Sequence, residues 1–143
     1  MNKVDALIIG GGPAGISASI WCKRLNMNHI LIEQDKELGG QLEQIQNRII
    51  DYPGIIDGSG KEIKNRFISH MDKLSCTYVT NTKVQVIDAI NQKVVVSNQN
   101  GMTNEITYKY LIVATGASNR MLGVNGEREM YQRGEVFSAS KDA

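Results

Sequence analysis

Cysteine is scarce in this chain: two residues, Cys22 and Cys76, among 143. They form no C-x-x-C pair and have no metal-ligand spacing, so neither a dithiol redox centre nor a structural zinc site is on offer. The lack of a disulfide framework suits a reducing compartment, and both thiols are expected to be small buried hydrophobes. The two histidines, His29 and His70, stand apart from any Cys or His partner and are expected to be ordinary core or surface residues. An excess of one charge is also missing. Sixteen basic residues meet 15 acidic ones, giving a net charge of +1, and no basic block occurs. Such a chain generates no field to recruit nucleic acid or a membrane surface. Aromatics at 6% are too few for a base-stacking platform. No apolar run approaches a membrane span, and Ala6 to Ile9 is too short for the apolar part of a secretion signal. A cytoplasmic location is expected, with no nucleic-acid and no membrane partner. The remaining composition, 41% apolar and 22% charged, is that of one globular domain.

What the chain does have is glycine, 14 residues of it, and the first cluster is GGGPAG at Gly10 to Gly15. Val4 to Ile9 before it reads as a strand buried on both faces. After it, Ala14, Ala18, Trp21 and Leu25 recur at helical spacing, with Ile16 and Ile20 beside them, and Asn26 and Asn28 offer a stop. His29 to Glu33 is a second short strand. This β-turn-α-β unit carries G-x-G-x-x-G at Gly10, Gly12 and Gly15. The first glycine permits the turn, the second leaves room for a pyrophosphate, and the third allows close packing. Pro13 suits the first helical turn because its missing N–H is not needed there. The turn from Gly10 through Pro13, Ala14 and Gly15 would hold phosphates at a helix N-terminus. Glu33 then falls near the spacing at which a carboxylate accepts both ribose hydroxyls. A 2′-phosphate would meet that like charge, which argues against NADP here but leaves NAD and FAD open.

The rest of the chain divides into recognisable pieces. Residues 35–58 are irregular, with turn chemistry at Gly39-Gly40, Pro53-Gly54 and Gly58. Ser59-Gly60-Lys61-Glu62 is a capping box opening a helix with Ile63, Phe67, Met71 and Leu74 on one stripe. Thr82 to Ile87, Lys93 to Ser97 and Ile106 to Ala114 predict an antiparallel meander, turned at Asn100-Gly101, whose last strand enters the buried parallel sheet. The fold class is therefore α/β: a Rossmann-like dinucleotide-binding domain, mainly parallel, with a small meander insertion. Residues 1–122 are expected to form that domain and 123–143 an extended segment.

The ordered set GGGPAG, Glu33, GGQL at 39–42, DYPG at 51–54, YLIVATGA at 110–117 and LGVNGE near the end resembles the low-molecular-weight thioredoxin reductase family of FAD-dependent pyridine nucleotide-disulfide oxidoreductases. The resemblance implies that the dinucleotide is FAD. It implies that Gly40 and Gln41 line the cofactor, that Thr115 and Gly116 lie near the pyrophosphate, and that a backbone group at Val84 meets the adenine. Asp51 stands where the family often has Asn close to the flavin. In that family the end of this region carries a C-x-x-C pair followed by Asp; here the matching residues are Ser138, Ala139, Ser140 and Lys141, then Asp142. Neither sulfur is present, so dithiol chemistry is excluded at that position. The family's nicotinamide-binding domain and its returning C-terminal FAD segment have no counterpart in these residues, so the chain is incomplete relative to the family. The resemblance thus implies the FAD-binding N-terminal half of a split or truncated flavin oxidoreductase. It would move electrons from NAD(P)H through flavin to an acceptor that needs no local dithiol. It would be active only with a second chain supplying the absent parts, with the missing C-terminal part, or after self-association. The competing reading is a non-catalytic FAD- or ADP-binding sensor or scaffold; an NAD-binding dehydrogenase domain is a weaker third. No residue is expected to be catalytic or to ligate metal.

Overall fold

In the computed structural model, which describes residues 3–45, 47–118 and 120–133, the chain runs β1 (Lys3–Ile9), α1 (Pro13–Arg24), β2 (His29–Ile32), a 3-10 turn (Gly40–Gln44), α2 (Gly60–Lys73), β3 (Tyr78–Val79), β4 (Thr82–Asp88), β5 (Lys93–Asn98), β6 (Thr103–Val113) and α3 (Glu127–Gln132). One sheet of order β3-β2-β1-β6-β5-β4 contains all six strands. The fold is the Rossmann-like α/β class expected. Strand β1 pairs in parallel with β2 and β6, and β2 in parallel with β3. Ala6, Leu7 and Ile8 have no solvent exposure, which is why β1 reads as a continuous apolar run and not as alternation.

The meander is continuous with the parallel sheet through β6. Its first half pairs antiparallel with β5, from Ser97 opposite Thr103 to Lys93 opposite Thr107. From Thr107 onward it runs parallel to β1, ending with Val113 opposite Ile9. This accounts for ITYKYLIVA beginning as alternation and ending solidly apolar. On one side, Leu7, Ile30 and Ile32 pack with Val94, Val96, Ile106 and Tyr108 of the meander. On the other, Ala6, Ile8 and Leu31 meet Ile16 and Cys22 of α1 and Met71 of α2.

Helix α2 begins as its sequence predicts. The Ser59 hydroxyl accepts from the Glu62 amide, and the Glu62 carboxylate accepts from the Ser59 amide. Ile63 and Met71 are buried. Helix α1 buries only part of its apolar set. The core side is Gly15, Ile16, Ser19 and Cys22, while Trp21 and Leu25 are 55% and 64% exposed. Of the residues at helical spacing, Ala14, Trp21 and Leu25 are exposed, while Ala18 is half-buried against the core. Small residues face the sheet because the helix sits close on it. Asn26, in the left-handed region at φ 55°, ends the helix as predicted.

The described residues of 35–58 are irregular apart from the 3-10 turn and two isolated bridges, Ile49–Gly58 and Tyr52–Ile55. Pro53-Gly54 makes a tight turn in which the Ile55 amide donates to the Tyr52 carbonyl at 2.9 Å and Gly54 has φ 88°. After Leu122, where extended chain is predicted, the structure instead forms α3. The Glu127 carboxylate accepts from the amides of Leu122 and Gly123, each at 2.7 Å, closing a turn at the helix start. A polar six-residue helix held by one acid has no hydrophobic periodicity to announce it. Ser138, Lys141 and Asp142 lie outside the described residues. Among the described residues no helix is long and apolar enough to cross a membrane.

Candidate nucleotide-binding site

At the end of β1 its neighbours β2 and β6 lie on opposite sides, which makes this the switch point of the sheet, where open α/β sheets bind ligands. Gly10 leaves the strand at φ 105°, and a Cβ there would fall 2.4 Å from the Ala114 carbonyl oxygen. A Cβ on Gly15 would fall 1.8 Å from the Gly10 carbonyl oxygen, so the helix start is folded tightly onto the turn. A Cβ on Gly12 would meet nothing within 4 Å. Gly10 and Gly15 are thus required by backbone contacts, while Gly12 borders open space. Gly12 is the N-cap of α1, Pro13 occupies the first turn, and Ala14 is exposed beside it. No side chain caps these amides, and no acid stands in the first turn. The first-turn amides of the helix therefore face that space with no side chain of their own to cap them.

Glu33 follows β2 and is 8% exposed. Its Oε2 accepts from the Gly11 amide at 2.6 Å and its Oε1 from the Asp35 amide at 2.9 Å. Each oxygen keeps further acceptor capacity after these bonds. Beside it lies a cleft of about 220 Å³ lined by Ile9, Gly10, Ile32, Glu33, Gln34, Thr82, Lys83, Val84 and Thr115. Four sequence-predicted residues, Gly10, Glu33, Val84 and Thr115, come together here from β1, β2, β4 and the end of β6. The convergence has a backbone cause: the Thr82 amide donates to the Glu33 carbonyl and the Asn81 amide to the Asp35 carbonyl, both at 2.9 Å, so β4 starts alongside the end of β2. Sequence reasoning missed Gln34, Thr82 and Lys83, which differ from ordinary strand-end residues only by adjacency to Glu33 and Val84. It also passed over Gly11, where a Cβ would lie 2.5 Å from the Leu38 side chain and 3.0 Å from Glu33 Oε2.

Gly40 and Gln41 do not line this cleft. They sit across the glycine-rich turn from it. The Gly39 amide donates to the Gly11 carbonyl at 2.8 Å, and a Cβ on Gly40 would lie 3.1 Å from the Gly12 Cα. Gln41 Nε2 donates to the Ala117 carbonyl at 2.6 Å, tying this loop to the exposed residues Thr115 and Gly116 beyond β6. Asp51 is outside the cleft as well; its neighbour Tyr52 packs on Phe67 of α2, ring centroids 5.8 Å apart. His29 is a satisfied core histidine, with Nε2 2.9 Å from Ser19 Oγ and Nδ1 3.1 Å from the Met27 carbonyl. Cys22 and Cys76 are both buried and free. Burial pushes the Cys22 thiol up, with the nearby Cys76 adding to the effect, so it is not poised as a thiolate. No group of His, Cys, Asp or Glu among the described residues could hold a metal ion.

A glycine-rich turn at the switch point, followed by an acid closing the second strand, is the arrangement by which α/β sheets hold dinucleotides. Residues 4–143 match the family model described as pyridine nucleotide-disulphide oxidoreductase. The chain belongs to that family. Within this oxidoreductase family it is 33% identical over 138 residues to a thioredoxin reductase of Bacillus subtilis (strain 168), covering 96% of this chain and 42% of the relative. Among solved structures it matches the thioredoxin reductase of Streptococcus pyogenes MGAS5005 with a TM-score of 0.70 at 33% identity, covering 90% of this chain and 40% of that one. The thioredoxin reductase of Lactococcus lactis matches with a TM-score of 0.76 at 29% identity, covering 91% and 41%. The chain therefore spans about two fifths of the length of these relatives.

Proposed function

We propose that this chain is the FAD-binding N-terminal part of a thioredoxin reductase-like flavin oxidoreductase. Electrons pass from NAD(P)H through flavin to an acceptor that needs no dithiol at residues 138–141. The observation that carries the reading is the uncapped start of α1 beside the open space at Gly12, with Glu33 next to it at the cleft. The residues present fit an ADP moiety. The amides of Gly12, Ala14 and Gly15 hold the diphosphate, with Pro13 and Ala14 presenting no bulky side chain to it. Glu33 accepts the ribose hydroxyls through its remaining lone pairs, the backbone at Val84 meets the adenine, and Gly10, Thr115 and Gly116 flank the diphosphate. Gly40 and Gln41 address the flavin side. Bound FAD supplies the hydride and electron chemistry, so no side chain here is required as acid or base.

A surface from elsewhere completes the site: a second chain or further segment carrying the nicotinamide-binding and remaining flavin contacts, or a second copy. The exposed apolar residues Val113, Leu122 and Val124, at 61%, 83% and 61%, support a covering surface near the end of β6. Native mass spectrometry of the protein from its own source, with an absorbance spectrum, tests all of this together. A flavin-mass adduct, a companion chain or longer polypeptide, and bleaching by NADH or NADPH are expected. A complex with no flavin absorbance overturns the reading. Bound flavin that neither nicotinamide reduces, with the partner present, assigns the chain to sensing or scaffolding instead.

A further inference from the structure

Lys64 lies on the inner side of α2 and is 4% exposed, which for an ammonium group is costly unless it is paired. Its Nζ pairs with Glu37 at 3.0 Å and also with Glu43. These two acids bracket Gly39 and Gly40 in sequence, so one buried cation holds both ends of that loop. The lysine stem lies directly under the loop as well. A Cβ on Gly39 would fall 2.4 Å from Lys64 Cδ and 2.6 Å from its Cγ, and Gly39 has φ 123°. The loop can close on the lysine only because position 39 has no side chain. On the far side, the same loop touches the glycine-rich turn through the Gly39–Gly11 hydrogen bond and the approach of Gly40 to Gly12. The order in space is lysine, loop, turn. No residue of 37–43 lines the cleft beside Glu33.

We propose that Lys64 is a positioning residue: it clamps residues 37–43 against the glycine-rich turn and so sets affinity for the flavin-bearing half of the dinucleotide, while leaving recognition of the ADP half to the cleft. This rests on the flavin reading above. The clamp is charge-assisted at two points and seated by close packing, so removing the ammonium frees the loop while the Gly11 amide still holds Glu33 and Val84 is not in contact with the lysine.

The test titrates FAD and ADP separately into the wild-type protein and Lys64→Met, each with the companion chain or further segment that mass spectrometry finds with it, and follows amide hydrogen exchange of residues 37–44 and 13–24 in both. Lys64→Met is expected to weaken FAD binding by roughly tenfold or more while ADP affinity stays within about threefold, and to speed exchange in 37–44 but not in 13–24. Glu43→Gln, which leaves the Glu37 pair and the buried stem in place, keeps the proposal testable if Lys64→Met does not fold; it should show the same pattern more weakly. FAD and ADP affinities falling in parallel, FAD affinity unchanged, or loop exchange unchanged would each overturn the proposal. A wild-type protein that, with that completing surface present, binds ADP but not FAD sinks the flavin reading and the affinity half of this inference together, and the exchange comparison still decides the clamp.

Discussion

The two long helices of this domain start in opposite ways. At the head of α2, Ser59 and Glu62 exchange hydrogen bonds, so that end satisfies itself. At the head of α1 there is no capping side chain and no acid, only glycines, with open space at Gly12. A self-capped terminus is a structural fitting. A terminus left uncapped, next to a buried carboxylate and at the switch point of the sheet, has its donors reserved for something that arrives later. The same contrast separates the glycines within the turn, since Gly10 and Gly15 are required by backbone contacts and Gly12 by none.

Four measurements would break or sharpen that contrast. Gly15→Ala should have the largest effect, because its methyl would meet the Gly10 carbonyl oxygen at 1.8 Å; a loss of about 3 kcal/mol is expected, read by chemical denaturation. Gly12→Ala should separate folding from binding. Stability should fall by about 1 kcal/mol or less, while ADP or FAD affinity falls by roughly tenfold as the methyl fills the space for the diphosphate. Equal loss at Gly12 and Gly15 would erase the distinction between them. Ser59→Ala should lower stability by about 1 kcal/mol through the lost cap, with nucleotide affinity unchanged.

The smallest effect concerns pH. Hydrogen bonds from the Ser59 amide and then its hydroxyl hold the Glu62 carboxyl below its ordinary value of 4.5. A carboxyl depressed in the folded state stabilises it above the unfolded value, and that contribution disappears as pH falls through the folded value. Thermal midpoints of Glu62→Gln and the wild-type chain should therefore differ near neutrality and converge in acid. A constant gap down the whole range would count against the cap's electrostatic part.

Much of this contrast could be read before any coordinates. Ser59-x-x-Glu62 and Gly10-x-Gly12-x-x-Gly15 are local patterns whose geometry is set within a few residues. The continuous runs of β1 and β2 and the change of pattern within β6 likewise gave their places in the sheet. What escaped depends on partners distant in sequence. Which residues of α1 face the core is set by close packing on the sheet, which brings Gly15, Ser19 and Cys22 there, where size matters more than hydrophobicity. Lys64 looks like a surface lysine until Glu37, Glu43 and Gly39 are brought around it. The bond from the Gln41 side-chain amide to the Ala117 carbonyl, 76 positions away along the chain, is likewise invisible in its local sequence. Helix α3 depends on one carboxylate closing two backbone amides, a contact that composition does not encode.

Strand β6 has a consequence for how the domain is born. The glycine-rich turn leaves the ribosome early, but the backbone it rests on, at Ala114, comes about a hundred residues later. Until that strand docks alongside β1, Gly10 has nothing to lean against and the cleft lacks a wall. Closure over so long a span is slow. A nascent chain halted before residue 103 would therefore carry the whole phosphate motif and still be unable to grip a nucleotide.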